Sequence, residues 1–220
     1  GTKDFTVAKY AKSNGIDVIV TDHHILGRRW PDVHAFINPQ MTKGTPSLKR
    51  LAGAGVCFKF IVALFEFQDK EMPEEFMDYL LALSALGTTS DRMSLLDPVN
   101  RIMIRRGSQA INDTPMEGLK ALKSICTSPE EFLFPRHLGR TLVPRLNAPG
   151  RIGDKQQNIP DSNTAVDLLL IQKGQGVSER AQKIMKRFNQ VLEAQKKSLS
   201  NQQTLHEASS LDEVNERRKL

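Results

Sequence analysis

Cysteine is scarce in this 220-residue chain, which holds two, Cys57 and Cys126. Two thiols cannot build the disulfide framework of a small secreted scaffold, so a reducing cytoplasm is the expected compartment. Aromatic residues are few, at 6%, with one Trp and two Tyr. No apolar run approaches the roughly 18 residues that a membrane-spanning helix needs, which excludes a transmembrane reading. The first residues, Gly1-Thr2-Lys3-Asp4-Phe5, include no initiator Met and lack the basic and apolar stretches of a secretory leader. Internal repeats and long low-complexity segments are missing as well. What is present suffices for a core: 39% hydrophobic and 25% charged residues describe a folded chain rather than a disordered one.

The formal net charge of +6 is unevenly spread. Residues 92–151 carry ten Lys or Arg against five Asp or Glu, whereas residues 1–91 carry ten against eleven. The basic block is mostly arginine: Arg92, Arg101, Arg105, Arg106, Arg136, Arg140, Arg145 and Arg151. A planar guanidinium makes two-point contacts to phosphate. Such a block suits a nucleic-acid backbone, and equally suits a solvated basic face.

The spacing of Phe5, Ala8 and Ala11 predicts an amphipathic helix over 4–14, stopped by Gly15. The run Asp17-Val18-Ile19-Val20-Thr21 predicts a short buried strand leading into Asp22-His23-His24. A helix followed by an apolar strand is the order of a parallel α/β sheet, whose ligand sites lie at the carboxyl ends of the strands. A second strand is expected over 35–37, ended by Asn38-Pro39, and a polar loop over 40–50. Helices are predicted over 51–67, from Pro73 through Leu83, and over about 98–111, 115–124 and 162–172. One long helix is predicted over 178–208. Gly87-Thr88-Thr89-Ser90-Asp91 and Pro144-Arg145-Leu146-Asn147-Ala148-Pro149-Gly150-Arg151 are predicted as polar turns. The expected fold class is α/β with a parallel sheet, a mostly helical continuation and a long C-terminal connecting helix. The expected division is 1–175 and 176–220, with a frayed tail.

Three places carry chemistry. Asp22-His23-His24 offers a carboxylate and two imidazoles at a strand end, donors that suit a hard divalent cation such as Mn²⁺ or Mg²⁺. A capping Asp beside two surface histidines reads the same locally. Asp91 offers a second carboxylate after a buried helix. Arg145 and Arg151, bracketing Asn147, suit a terminal phosphate. Trp30 with Arg28 and Arg29 reads as a cap over the sheet.

Five segments in order resemble the RecJ branch of the DHH phosphoesterase superfamily. They are Val18-Ile19-Val20-Thr21-Asp22-His23-His24, Ile37-Asn38-Pro39, Leu51-Ala52-Gly53-Ala54-Gly55-Val56-Cys57-Phe58-Lys59, Ala85-Leu86-Gly87-Thr88-Thr89-Ser90-Asp91 and the Pro144 to Arg151 motif. The DHH triplet marks the superfamily, and the glycine and arginine motifs mark the branch. The resemblance runs from residue 1 to about 205.

It implies a two-metal phosphodiesterase that uses Mn²⁺ or Mg²⁺ to remove nucleotides from the 5′ end of single-stranded DNA in recombination and repair. It implies metal-ligand positions at Asp22, His23 and Asp91, and a ligand or phosphate-facing position at His24. DNA-backbone or 5′-phosphate contacts are implied at Arg145 and Arg151, with Asn147, Arg105 and Arg106 also assigned to nucleic acid. Gly53 and Gly55 match an active-site loop. Single-strand-binding, replication and repair proteins are the implied protein partners, with no membrane.

Members of the branch carry an Asp-x-Asp motif and a further Asp ahead of the residues that match Gly1-Thr2. They also carry a DHH-associated domain beyond the long helix. This polypeptide is therefore expected to be the middle of a longer protein and to be inactive, or nearly so, alone. Pro149 stands where Ala is commoner. Two other readings stay open: a metal-free RecJ-like module binding single-stranded DNA or a replication partner, and a DHH phosphoesterase acting on short oligonucleotides or a cyclic dinucleotide.

Overall fold

A computed structural model describes residues 1–41, 46–124, 132–152, 161–171, 179, 181–194 and 196–197, with the backbone alone for Arg151 and Ile152. The chain divides into two compact units. One comprises Gly1–Pro115 with Cys126–Val143, the other Met116–Ile125 with Pro144–Leu220.

The first unit opens on α1 (Phe5–Ser13). Ala8 and Ala11 are buried, as their spacing predicts, but Phe5 is exposed, so the two small residues seat the helix. Gly15 then takes a φ of 67°, the left-handed conformation that glycine adopts without a Cβ clash at a helix end. Strand β1 (Ile19–Thr21) pairs in parallel with β2 (Ala35–Ile37), with Ile19 opposite Ala35, Val20 opposite Phe36 and Thr21 opposite Ile37. Helix, strand and parallel partner follow the predicted α/β order. The strand is shorter than expected and not fully buried, since Ile19 is 53% exposed. A β-branched run reports strand propensity, whereas burial depends on neighbours that the run itself does not specify.

Two 3₁₀ turns, Pro39–Met41 and Pro46–Arg50, occupy the predicted loop. Proline suits the first position of each, where its missing N–H has no helical partner to lose. The packed core of the unit is helical. α2 (Gly53–Phe67), α3 (Glu74–Ser90) and α4 (Pro98–Asp113) follow one another along the chain. Leu51, Val56, Phe58, Leu80, Leu81 and Met103 cluster there. Asp97 starts α4 by accepting a hydrogen bond from Val99 N at 2.9 Å, with Pro98 next to it. Gly107 permits the close approach of α3 and α4: a Cβ there would lie 2.3 Å from Leu81 O and 2.4 Å from Ala85 Cβ.

Helix α3 runs to Ser90, so the predicted turn at 87–91 is its last turn, closed by Asp91 as the C-cap. Gly, Thr and Ser favour turns locally, but Thr88 is fully buried here and Thr89 Oγ1 donates to Ala85 O at 2.8 Å. Burial and that internal bond outweigh propensity. Arg92 follows with a φ of 51°.

After α4 come α5 (Glu117–Ser124), α6 (Pro135–His137), a π-helical turn over Leu138–Leu142, α7 (Val143–Ile152) and α8 (Ser162–Leu169). Near the end of α4, Asn112 secures the segment before α6. Its Nδ2 donates to Leu133 O at 3.0 Å, and Leu133 N donates to its Oδ1 at 2.8 Å.

In the second unit, Gly118 of α5 abuts α8, and a Cβ there would lie 1.8 Å from Leu168 O. Asp161 caps α8 by accepting from Thr164 N at 3.1 Å. The predicted turn at 144–151 is instead helical, within α7, with Pro149 inside the helix. Ala148 packs with Val191 and Leu192, and that burial outweighs the turn preference of Asn147, Pro149 and Gly150. Residues 181–194 and 196–197 are helical, inside the long helix predicted over 178–208. Its continuation past 197 lies outside the described residues. Among the described residues no helix is long and apolar enough to cross a membrane.

Candidate metal centre

The site is built around Asp22, at the C-terminal end of β1. Asp22 N donates to Ile37 O at 3.0 Å, so the parallel pairing carries the aspartate one step beyond the strand. Its carboxylate then folds back on the chain. Oδ1 accepts from His23 N at 2.7 Å and from His24 N at 3.1 Å, the local bonding for which Asp is favoured in turns. His24 Nδ1 lies 2.7 Å from the same oxygen. Oδ2 accepts from Thr2 N at 2.5 Å and from the Thr2 hydroxyl.

Asp22 is 7% exposed, and Thr2 is buried beside it. Burial pushes the Asp22 pKa up, but the hydrogen bonds from Thr2 and His24 outweigh it and hold the carboxyl well below the usual carboxylate range. An ionised carboxylate only accepts, so His24 Nδ1 is the donor in that contact.

His23 Nε2 lies 3.6 Å from Asp91 Oδ2, which links the strand end to the C-cap of α3. The His23 and His24 rings are 4.5 Å apart. One donor atom each from Asp22, His23 and His24 falls within 4.8 Å of the others. Carboxylate oxygen with imidazole nitrogen at that spacing fits Mn²⁺ better than a purely oxygen-seeking cation, and Asp91 adds a further oxygen beside His23.

Gly53 lies against His23, where a Cβ would stand 3.6 Å from its Cδ2. Gly55 is buried against Leu51 and Met103. Both glycines belong to the first turn of α2 rather than to the expected loop, because the apolar run that begins at Leu51 buries this turn in the core.

Thr2, Asn38 and Gln40 are functional neighbours that sequence reasoning misses. Buried Asn38 donates through Nδ2 to His24 O at 3.0 Å. Gln40 Nε2 donates to His23 O at 3.4 Å and to Lys49 O at 2.9 Å. The one signal for Asn38 and Gln40 is the strand register: with Thr21 opposite Ile37, residue 38 must fall beside the aspartate turn.

Arg105 and Arg106 are exposed on α4, in the first unit. Arg145 and Asn147 are half-buried on α7, in the second. Arg145 Nε donates to Asn189 Oδ1 at 2.7 Å. The backbone of Arg151 lies in α7, and its side chain is outside the described atoms.

Residues 1–88 match the DHH family, N-terminal domain. The single-stranded-DNA-specific exonuclease RecJ of Bacillus subtilis is 40% identical over 145 residues, covering 66% of this chain and 17% of that protein. The RecJ of Escherichia coli is 36% identical over 162 residues, covering 70% of this chain and 28% of that one. The crystal structure of RecJ in complex with Mn²⁺ from Thermus thermophilus matches with a TM-score of 0.70 at 27% identity, over 94% of this chain and 28% of that one. The chain thus spans less than a third of the length of each of these relatives. The whole aspartate-histidine cluster at the end of β1 falls inside the segment that matches the DHH family, N-terminal domain, and the chain is RecJ-like over the residues it shares with these relatives.

Proposed function

We propose that the chain supplies part of the catalytic centre of a RecJ-type nuclease, which removes nucleotides from the 5′ end of single-stranded DNA with Mn²⁺ or Mg²⁺ bound. The observation that carries this reading is the Asp22 carboxylate packed against two histidines at a strand end, with Asp91 3.6 Å from His23. The names of the relatives describe single-strand-specific exonucleases, and the Thermus neighbour holds Mn²⁺.

In this reading Asp22, His23 and Asp91 hold the metal, and His24 either ligates it or faces the scissile phosphate. Bound divalent cations supply a polarised phosphoryl oxygen and a water of lowered pKa. The chain's own residues do the rest. Asp22 is anionic across neutral pH, so no proton has to leave it when a cation binds. His24 is anchored at Nδ1, which leaves Nε2 to ligate or to face the phosphate. Asn38 and Gln40 grip the carbonyls of both histidines, so the backbone that carries the two rings is held in place before any ligand arrives. Gly53 leaves room beside His23. Arg105, Arg106, Arg145, Asn147 and Arg151 are assigned to the DNA backbone. A role in recombination and repair, in the cytoplasm and alongside single-strand-binding or replication proteins, belongs to the same reading.

Mn²⁺-dependent digestion of 5′-phosphorylated single-stranded DNA by the product of the complete gene is the test. Nucleotides should leave from the 5′ end, and Asp22→Ala and Asp91→Ala should each stop their release. Full activity in either variant overturns the assignment. Strand binding without cleavage by the complete product replaces the enzyme with a binding module. The 220 residues alone should bind the strand and cut it little.

A further inference from the structure

The first unit presents a second exposed feature that this chemistry leaves unused. Leu133 is fully buried and tied at both backbone atoms by Asn112. Phe134 has extended dihedrals, and neighbours along extended chain alternate in direction. Phe132 and Phe134 are accordingly turned outward, 43% and 45% exposed. Their rings meet edge to face with centroids 5.2 Å apart. The Arg136 guanidinium lies over the Phe134 ring, 5.0 Å from its centroid.

Beside this pair lies a cavity of about 320 Å³, lined by Thr88, Thr89, Arg92, Met93, Pro135 and Arg136 among others. Among the described residues neither Arg92 nor Arg136 has a carboxylate partner. Among the described residues the Thr88 hydroxyl, in a fully buried residue on the cavity wall, has no hydrogen-bond partner. The cavity therefore combines two cations with a donor still to be satisfied. It shares the last turn of α3 with the metal centre, since Asp91 stands between Thr89 and Arg92.

We infer that Phe132, Phe134, Arg92 and Arg136 form a nucleotide subsite for single-stranded DNA, in which a base stacks on the exposed rings and its phosphate enters the arginine-lined cavity. The inference rests on the nuclease reading for the identity of the strand. Every base has a π face, so a ring pair holds an unpaired base whatever its sequence. A guanidinium beside the ring complements the adjoining phosphate, and the surrounding segment 92–151 has an excess of basic residues. A duplex keeps its base faces stacked inside and offers the rings nothing.

The test is fluorescence anisotropy with 3′-labelled oligo(dT) and an abasic strand of equal length, in EDTA, against the 220-residue chain. The variants are the double substitution Phe132→Leu with Phe134→Leu, which keeps apolar volume and removes both rings, and Arg136→Gln. The wild type should prefer the base-bearing strand by about tenfold, in line with stacking on aromatic side chains. The double variant should bind both strands equally. Arg136→Gln should weaken both strands alike and reduce the salt dependence of binding. A double variant that melts like the wild type yet keeps the full preference for bases overturns the subsite. So does a wild type with no preference, the behaviour expected if the rings await a protein partner, or one that binds duplex as tightly. A wild type that binds no single strand overturns both the subsite and the strand assignment beneath it.

Discussion

Asp22 and Asn112 each fix a short irregular segment through hydrogen bonds to its backbone, but they work over different ranges. Asp22 binds the N–H groups of the next two residues, His23 and His24. Asn112 binds the N–H and the carbonyl of Leu133, 21 positions away. The first device needs a strand to end where Asp22 stands. The second needs α4 seated on α3, a returning chain and a buried leucine. A metal-type cluster therefore forms from consecutive residues, whereas the outward ring pair exists only after the helices have packed.

The largest effect is expected from Asp22→Asn, which separates the charge from the turn. The amide oxygen can still accept from His23 N and His24 N, but its NH₂ faces the donors of Thr2. Mn²⁺ affinity should fall by more than about a hundredfold, since changes even behind a ligand cost 10- to 100-fold, while binding of oligo(dT) without metal is retained. Titration calorimetry measures the first and anisotropy the second; joint loss of both would erase the independence of the two regions.

Next comes Gly107→Ala. A methyl group 2.3 Å from Leu81 O must push α4 away from α3. Urea unfolding should show a loss of about 3 kcal/mol, the upper part of the range for overpacking. The preference for base-bearing DNA should fall with it, because Asn112 rides on α4. Asn112→Ala should cost less, about 2 kcal/mol, by leaving the buried Leu133 backbone without its partners. It should weaken the base preference and leave Mn²⁺ affinity unchanged. An equal drop in Mn²⁺ affinity would mean that the two regions are one.

The smallest effect lies in the acid limb of stability, measured in EDTA. The folded-state pKa of Asp22 is depressed, so its contribution is complete above the ordinary carboxylate value of about 4 and is lost as pH falls through the folded value. Wild type and Asp22→Asn should therefore differ most in melting temperature near neutral pH and converge towards pH 2. Asn112→Ala should keep the wild-type slope. A constant gap between wild type and Asp22→Asn would remove the ionised carboxylate from the account.

The same difference of range explains what can be read from the chain in advance. Asp22, His23 and His24 are legible because they are consecutive, the bonds from His23 N and His24 N to Asp22 are local, and the strand before them is plain in Ile19, Val20 and Thr21. Asp91 is legible as a carboxylate after a buried helix, but its setting is not. Gly87, Thr88 and Thr89 favour a turn by themselves, and the burial of Thr88 keeps them helical. The arginine motif on α7 misleads for the same reason, with Ala148 supplying the burial. Asn38 and Gln40 follow only from the pairing register, a property of two strands rather than of either. Nothing in Phe132-Leu133-Phe134 announces that the middle residue alone turns inward.

The last turn of α3 acts as a ruler. Each residue of a helix advances about 1.5 Å and rotates about 100°. Removing or adding one residue between Thr88 and Arg92 would swing either Asp91 away from His23 or Arg92 away from the cavity. Side chains in that turn that face neither the metal centre nor the cavity can vary so long as they pack, but its length cannot. Insertions that lengthen the surface of this domain would have to be accommodated elsewhere in the chain.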